Sequence, residues 1–536
     1  MRTSLRPFLI IAFGFATTCS SETASTTPPA DAGTKTDAGV DAGTVADAGT
    51  GSDAGSWTAS VTAAKTGGTI IDGGAIYSST KLLIGWSATS QAIDHFAITA
   101  SESIGGTVTT ASADAGVMNA TLMGLKSGTT YAIAVAACVN AGCTTMLAAT
   151  GADASATTEQ EFYRMVGSGN TMSGWDAGVW AVPDGMTLSH VFRYGADAGA
   201  SLEGKLQMAY NVDPAIGGYG KGLWGARLAT IPTAADAGSL YPFTPFGGSY
   251  MLSNPDAGGT SDVAAYNAIG MPVPLGGTLG AKIRLFLEGT GSDGRSRILS
   301  LDSTDGYEGK DFHGGSATVC LTNADYSGDG GCALTRVIKV EADDAGNTNL
   351  RDARQFKIGY PTMTDWRWNG EPGTFMVFTV DLINEGPCGI VGSDFTSGYA
   401  VYDGIKWDVQ YDGGTCPKLF RNVRVPNPVH LGAATYKMYF TDDRDGGNQQ
   451  KRVAYAHAGR TGNPAYVDFE DWEDTVTEAR DVNFLWPDGT LMASDYERPM
   501  DDFSFLMPTN DVNFQVMYSN FGMPMPHIAV LILVNP

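Results

Sequence analysis

The sequence predicts an all-β protein in which a small sandwich precedes a larger ring of small sheets. Three observations support this prediction. Of 536 residues, 69 are Gly and only 17% are charged, a composition that suits short strands and turns better than long helices. Large apolar residues alternate with smaller ones between Gly-rich turns, as in a half-buried sheet. Beyond residue 160, no segment sustains the helical period of about 3.6 residues.

Residues 1–19 have the features of an export signal. Two arginines precede the apolar run Phe8–Ala16, which is about half as long as a membrane-spanning helix. The sequence that follows, Ala-Thr-Thr-Cys ending at Cys19, resembles the lipobox of bacterial lipoproteins. That resemblance implies lipidation of Cys19 and a place at the outer membrane or cell surface. An ordinary secretory signal, which would leave the protein periplasmic or secreted, is the alternative.

Residues 20–56 are predicted to form a disordered acidic tether. They consist almost entirely of Ser, Thr, Ala, Gly, Pro and Asp, and the triplet Asp-Ala-Gly recurs in them. Such a segment buries too little apolar surface to fold, and its like charges keep it extended. The same triplet recurs later at irregular spacings, which indicates loop insertions rather than a ligand-binding repeat.

Residues 57–155 are predicted to form the sandwich. A strand-forming run ends at Trp86. In a later run, from Tyr131 to Ala137, large and small residues alternate with period two. Trp86 and the spacing Leu125-x-x-Gly128-x-x-Tyr131 resemble a fibronectin type III domain. The resemblance implies that Tyr131 forms a tyrosine corner and that the domain presents the next one away from the membrane.

The cysteines predict disulfides in an exported protein. Setting Cys19 aside leaves six of the seven cysteines, and an even number in an exported chain favours disulfides. Pairing of sequence neighbours is the most local of the possible connectivities. It joins Cys138 to Cys143, Cys320 to Cys332 and Cys388 to Cys416.

Residues 160–536 are predicted to form a five-bladed β-propeller. A Pro-containing start, a Gly turn and a strand rich in Met and aromatic residues recur about five times, most clearly at Gly373–Thr379 and Tyr436–Thr441. Radial repetition of small sheets is the propeller solution to exposed sheet edges. A pair of β-sandwiches is the alternative.

These strands and the turn Asp403-Gly404-Ile405-Lys406-Trp407 resemble glycoside hydrolase family 43 and its invertase-like relatives. The resemblance implies a trio of carboxylates, with the general base in an Asp-Pro pair at the start of a blade. Here the corresponding pairs are Met271-Pro272, Tyr360-Pro361 and Asn427-Pro428, and none of Met, Tyr and Asn can act as a carboxylate base. The expected catalytic trio is therefore not recognisable.

If the protein is an active glycosidase, the candidate acids are Asp365, Glu371 and Asp502. The candidate ligand-binding residues are Asn427 and the cluster Trp366-Arg367-Trp368. Sugar faces pack on aromatic rings while polar groups bond the hydroxyls, so this cluster suits a saccharide. Packing between blades is the alternative for the two tryptophans.

The remaining features limit cofactors and partners. The net charge of −24 argues against nucleic acid, whose phosphates it would repel. We expect no cofactor and no metal site. A bound calcium is the alternative, because the segment from Asp442 to Gly447 resembles half a calcium loop, although it lacks the terminal Glu.

The leading hypothesis is a monomeric, surface-anchored protein that binds polysaccharide or oligosaccharide through a glycosidase-like propeller. An active glycoside hydrolase, acting on plant or microbial polysaccharide, is one alternative. A structural or adhesion lipoprotein with no small ligand is the other.

Overall fold

The structure, a computed structural model, describes most of residues 56–168, 187–312, 334–338, 350–359, 375–382, 395–442, 450–457, 468–469 and 479–536, with short gaps inside these ranges. Residues Asp53–Pro536 form one compact unit. The predicted signal, Cys19 and residues 20–55 of the predicted tether lie outside the described residues, whereas Ser56, predicted as the last tether residue, begins β1. In the described part of the chain, no helix is long and apolar enough to cross a membrane.

The N-terminal strands form a two-layer sandwich. One layer has the strand order β2-β5-β8; the other has the order β1-β10-β9-β6-β7, with β11 paired to β9, and β3 and β4 form a separate hairpin. The bounds are β1 Ser56–Thr58, β2 Val61–Lys65, β3 Thr69–Ile71, β4 Gly74–Ile76, β5 Leu82–Trp86, β6 His95–Glu102, β7 Val108–Asp114, β8 Asn119–Leu122, β9 Thr130–Cys138, β10 Met146–Thr150 and β11 Ala154–Thr157.

The sandwich core follows the period-two pattern. Every second residue of β6 is buried, so one face of its sheet packs inward. Trp86 lies in this core with its ring centroid 5.3 Å from that of Phe96. The hydroxyl of Tyr131 accepts a hydrogen bond from the backbone N–H of Lys126 at 2.8 Å. The predicted tyrosine corner is therefore confirmed.

One predicted disulfide is confirmed, and it closes a tight turn. Cys138 ends β9 and is bonded to Cys143, whose backbone N–H donates to the carbonyl of Asn140 at 2.9 Å. The predicted pairs of Cys320 with Cys332 and of Cys388 with Cys416 stay predictions. Of those four residues, the structure describes only the backbone of Cys416.

Beyond the sandwich, the described residues form one strand, β12, followed by five groups of mainly antiparallel strands. The bounds of β12 and the first two groups are β12 Glu161–Ser168; β13 Thr187–Arg193, β14 Leu206–Val212, β15 Gly222–Leu228, β16 Phe243–Pro245 and β17 Leu252–Ser253; β18 Gly270–Leu275, β19 Lys282–Thr290, β20 Ser296–Asp302 and β21 Leu334–Ile338.

The other three groups follow without an intervening α-helix in the described segments. Their bounds are β22 Leu350–Gly359, β23 Phe375–Leu382, β24 Phe395–Tyr402, β25 Trp407–Val409, β26 Tyr411–Asp412, β27 Cys416–Pro417 and β28 Leu419–Phe420; β29 Val423–Gly432, β30 Thr435–Asp442, β31 Lys451–His457, β32 Asp468–Phe469 and β33 Arg480–Leu485; β34 Phe503–Leu506, β35 Val516–Phe521 and β36 His527–Leu533. Short 3-10 turns occur at Ala196–Ala198, Ala237–Leu240 and Gly306–Glu308.

The groups contact one another in a cycle. Most of these contacts are made by the first strands of the groups: β13 contacts β18, β22 contacts β29, β29 contacts β34, and β34 returns to β13. The second group instead touches the third through β20, which contacts β22. The early strand β12 pairs antiparallel with β36 and so completes the last group. It also pairs parallel with β33, which joins the last two groups into one sheet. This is the architecture of a β-propeller, and the predicted fold class, a sandwich followed by a propeller in an all-β chain, is confirmed.

The sandwich and the propeller are joined by hydrogen bonds through Asn535. Its side-chain amide donates to the carbonyls of Tyr77 at 3.0 Å and Gln160 at 2.7 Å. Its side-chain oxygen accepts from the backbone N–H of Phe162 at 2.9 Å, and its own carbonyl accepts from the hydroxyl of Ser79 at 2.7 Å. One buried side chain therefore holds together the sandwich and the first strand of the propeller.

Candidate functional site

We assign β13, β18, β22, β29 and β34, the first strand of each group, as the innermost strands of the propeller. The basis is that β13 contacts β18, β22 contacts β29, and β34 contacts both β29 and β13. Three of them, β13, β22 and β29, shift register against their neighbours in the sheet. Such bulges redirect side chains and are frequent next to active sites. In β29, Val425 has a φ of 53°, a left-handed conformation that is strained for a β-branched residue. These irregularities lie in strands that would surround the propeller axis, and register also shifts between β12 and β36 and between β20 and β21.

Polar side chains on these strands bond across the group boundaries. The amide of Asn427, a buried residue two positions after Val425, donates to the carbonyl of Phe503 at 3.0 Å. The ring nitrogen Nδ1 of His190 lies 3.2 Å from the hydroxyl oxygen of Ser504. Both contacts attach β34 to a neighbouring innermost strand. The structure thus shows a role for Asn427 in strand packing, and its predicted contact with a ligand stays a prediction.

Carboxylates are scarce on the innermost strands. Across the residues assigned to these five strands, the sequence contains one acid, Asp352 in β22. A glycosidase needs a pair of carboxyl groups that flank the scissile bond. The described innermost strands do not supply such a pair, and an active protein would need acids from other segments.

The predicted acids Asp365, Glu371 and Asp502 lie outside the described residues, as does the cluster Trp366-Arg367-Trp368. Trp224, a tryptophan of β15, is 6% exposed and belongs to a hydrophobic core cluster.

The structure bears on two motifs identified in the sequence, the Pro-containing pairs and the half calcium loop. Met271-Pro272 and Asn427-Pro428 lie inside innermost strands, and Tyr360-Pro361 lies outside the described residues. In the acidic segment predicted as half a calcium loop, Asp442 forms an ion pair with Arg452 at 3.1 Å. The rest of that loop, up to Gly447, lies outside the described residues.

A second polar centre, not predicted from the sequence, is buried between the last two groups. Lys437 on β30 forms an ion pair with Glu161 on β12, and both side chains are almost completely buried. The hydroxyl of Tyr439 donates to the other oxygen of Glu161 at 2.7 Å and lies 3.0 Å from the hydroxyl of Tyr163. The sequence signal that could have revealed this centre is a Lys inside a largely apolar strand, because a buried Lys needs a buried partner.

Burial and the ion pair govern the protonation of this centre. Burial raises the pKa of Tyr163 and Tyr439 well above the usual value, and the nearby carboxylate of Glu161 adds to the effect. Burial of Lys437 opposes its charged form, but the Glu161 carboxylate and Tyr455 outweigh that effect and raise the Lys437 pKa. The centre therefore holds a charged lysine and neutral tyrosines at neutral pH.

This centre reaches the sandwich through Tyr455. Its hydroxyl accepts a hydrogen bond from the backbone N–H of Ser127 at 3.0 Å. On the sandwich side, Lys126 forms a second buried ion pair with Glu102 at 3.0 Å. Two buried charge pairs thus approach the same junction from opposite sides.

The chain has no match to a protein-family model and none to a curated protein. Among solved structures, a thermostable family-43 glycoside hydrolase aligns at 10% identity and a TM-score of 0.36, over 67% of this chain and 95% of that chain. The catalytic domain of Coprinopsis cinerea GH62 α-L-arabinofuranosidase aligns at 8% identity and a TM-score of 0.33, over 70% and 97%. The fn3 domain of human collagen alpha-1(XX) aligns at 19% identity and a TM-score of 0.13, over 21% and 89%. The fold assignment therefore rests on strand order and pairing, not on these alignments.

Proposed function

We propose that the protein binds glycans through a five-bladed propeller of glycosidase type and does not hydrolyse them. The observation that carries this proposal is the near absence of carboxylates on the described innermost strands, where Asp352 is the one acid. A propeller with bulged innermost strands but few acids can hold a sugar without activating water against it.

The groups on these strands suit the recognition of hydroxyls. Asn427 carries an amide, with one donor engaged by Phe503 and an oxygen that makes no hydrogen bond within the described residues. His190 and Ser504 add further polar groups. The sequence cluster of Trp366 and Trp368 would provide the apolar stacking surface that saccharide sites use.

A glycan array and a hydrolysis assay on the same preparation test the proposal. The full chain is expected to bind a subset of glycans and to release no reducing sugar from arabinan, xylan or aryl-glycosides. Replacing both Trp366 and Trp368 by Ala should weaken binding at least about tenfold, since each aromatic contact is worth roughly 0.5–1.5 kcal/mol beyond its buried area. The matched double change to Phe should keep most of the affinity.

Two results would overturn it. Hydrolysis that is lost in Asp365→Asn, Glu371→Gln or Asp502→Asn would identify an active glycoside hydrolase. A folded protein that binds no glycan on the array would favour the structural or adhesion role.

We also propose that Cys19 carries a lipid that anchors the protein at the outer membrane or cell surface. Support comes from the lipobox-like sequence and the acidic segment that follows it. In a bacterial host fed labelled palmitate, the full-length protein is expected to take up label and to fractionate with membranes, and Cys19→Ala is expected to do neither. Release of the wild-type protein to the soluble fraction without label would show an ordinary secretory signal instead.

A further inference from the structure

A cavity of about 590 Å³ lies at the junction of the sandwich and the last two groups of the propeller. Its wall combines residues of the sandwich, such as Lys81 and Lys126, with residues of the propeller, such as Lys437 and Tyr455. None of the residues predicted for glycan contact lines it. Its volume falls within the range of small-molecule sites, about 300–1,000 Å³. It is therefore large enough for an organic ligand with one or two rings.

Much of the wall is apolar. Val108, Met123 and Leu125 line it from the sandwich, and Leu431 lines it from the propeller. Val108 and Met123 are among the exposed large hydrophobic residues of the sandwich, at 54% and 64% exposure. An apolar wall with a few polar groups is typical of pockets that bury the body of an organic molecule and orient it by one charged end.

The charged groups of the wall indicate the sign of the charged end of such a ligand. Lys126 is balanced by Glu102, which also lines the cavity, and Lys437 is balanced by Glu161 behind the wall. Lys81 lines the cavity without a hydrogen-bond or ion-pair partner among the described residues, whereas both other lysines of the wall are paired. In a chain with a net charge of −24, an unpaired cation beside an apolar cavity is suited to an anion.

We propose that this cavity binds a small organic carboxylate with an apolar body, and that Lys81 pairs with the carboxylate. The site is separate from the innermost strands of the propeller. Two sources share this chemistry: a uronic acid, whose ring presents apolar C–H faces, and a hydroxycinnamic acid, whose body is aromatic.

Isothermal titration of the full chain tests the proposal with galacturonate and 4-hydroxycinnamate, each beside its uncharged methyl ester. At least one acid is expected to bind, about tenfold or more tightly than its ester, because charge-assisted hydrogen bonds are roughly twice as strong as neutral ones. The acid that binds identifies the source. Lack of binding by both acids, or equal binding of acid and ester, would overturn the proposal.

Two variants locate the site. Lys81→Met should weaken acid binding about tenfold, to the level of the ester. The matched control Lys205→Met should leave it unchanged, because Lys205 is half-buried like Lys81 but does not line the cavity. Thr109→Trp, which places a large side chain in the wall, should abolish binding of acid and ester alike. Retained affinity in both Lys81→Met and Thr109→Trp would show that any binding occurs elsewhere. The tryptophan variants of the propeller should not affect this binding, so the two sites fail or succeed independently.

Discussion

Replacing Lys437 with Met is expected to destabilise the protein by about 3–5 kcal/mol, the usual cost of removing one partner of a buried ion pair. The side chains of Lys437 and Glu161 are 1% and 0% exposed. Without the lysine, the carboxylate of Glu161 would be left in the core with Tyr439 and Tyr455 as its hydrogen-bond donors among the described residues. Its desolvation would no longer be compensated by an opposite charge.

Urea denaturation measures this loss of free energy. The matched control is Lys310→Met, because Lys310 pairs with Glu308 on the surface, where both side chains are nearly half exposed. Such a pair contributes about 0–1 kcal/mol. The double variant Glu161→Gln/Lys437→Met should recover part of the stability, since it removes the unpaired charge. A loss below about 1 kcal/mol for Lys437→Met would show that the pair is not buried in solution as it is in the structure.

Replacing Asn535 with Ala is expected to cost roughly 3 kcal/mol. The change removes three hydrogen bonds at once and leaves the carbonyls of Tyr77 and Gln160 and the backbone N–H of Phe162 without this partner. Each buried polar group left unsatisfied costs about 1–3 kcal/mol. Water can reach part of this region, so the lower end of the summed range applies.

Thermal unfolding and amide exchange check this expectation together. Asn535→Ala should lower the melting temperature, and the amide of Phe162 should exchange faster with solvent, because it loses its acceptor. Asn510→Ala is the control: Asn510 is exposed and accepts one hydrogen bond from Arg193, so its loss should cost less than about 1 kcal/mol. Unchanged exchange at Phe162 would contradict the proposed role of Asn535.

Several features were predictable because they are local. The period-two pattern located the strand from Tyr131 to Ala137, and β9 covers Thr130–Cys138. The spacing of Leu125, Gly128 and Tyr131 predicted a tyrosine corner whose acceptor and donor are five residues apart. The short separation of Cys138 and Cys143 predicted their disulfide. In each case, the interacting groups are close in sequence, so few alternative arrangements compete.

Other features could not be predicted because they join residues far apart in the chain. The pairing of β12 with β36 brings together strands from the two ends of the propeller. Glu161 and Lys437 are separated by 276 positions, and nothing in the short sequence around either residue identifies the other. The cavity could not be predicted either, because its wall combines Lys81 with Tyr455, which lie far apart in the chain.

The amino-acid sequence by itself determined the class of secondary structure, the local turns of the sandwich and the lack of a carboxylate in the Pro-containing pairs. These properties depend on composition, on period and on residues close together in the chain. Only the tertiary structure decided which strands are innermost, which strand completes the last group of the propeller, which charges are paired in the core and which lysine beside the cavity has no partner among the described residues. The physical reason is that burial and pairing of a charge depend on what the fold brings against it, and those partners lie in distant parts of the chain.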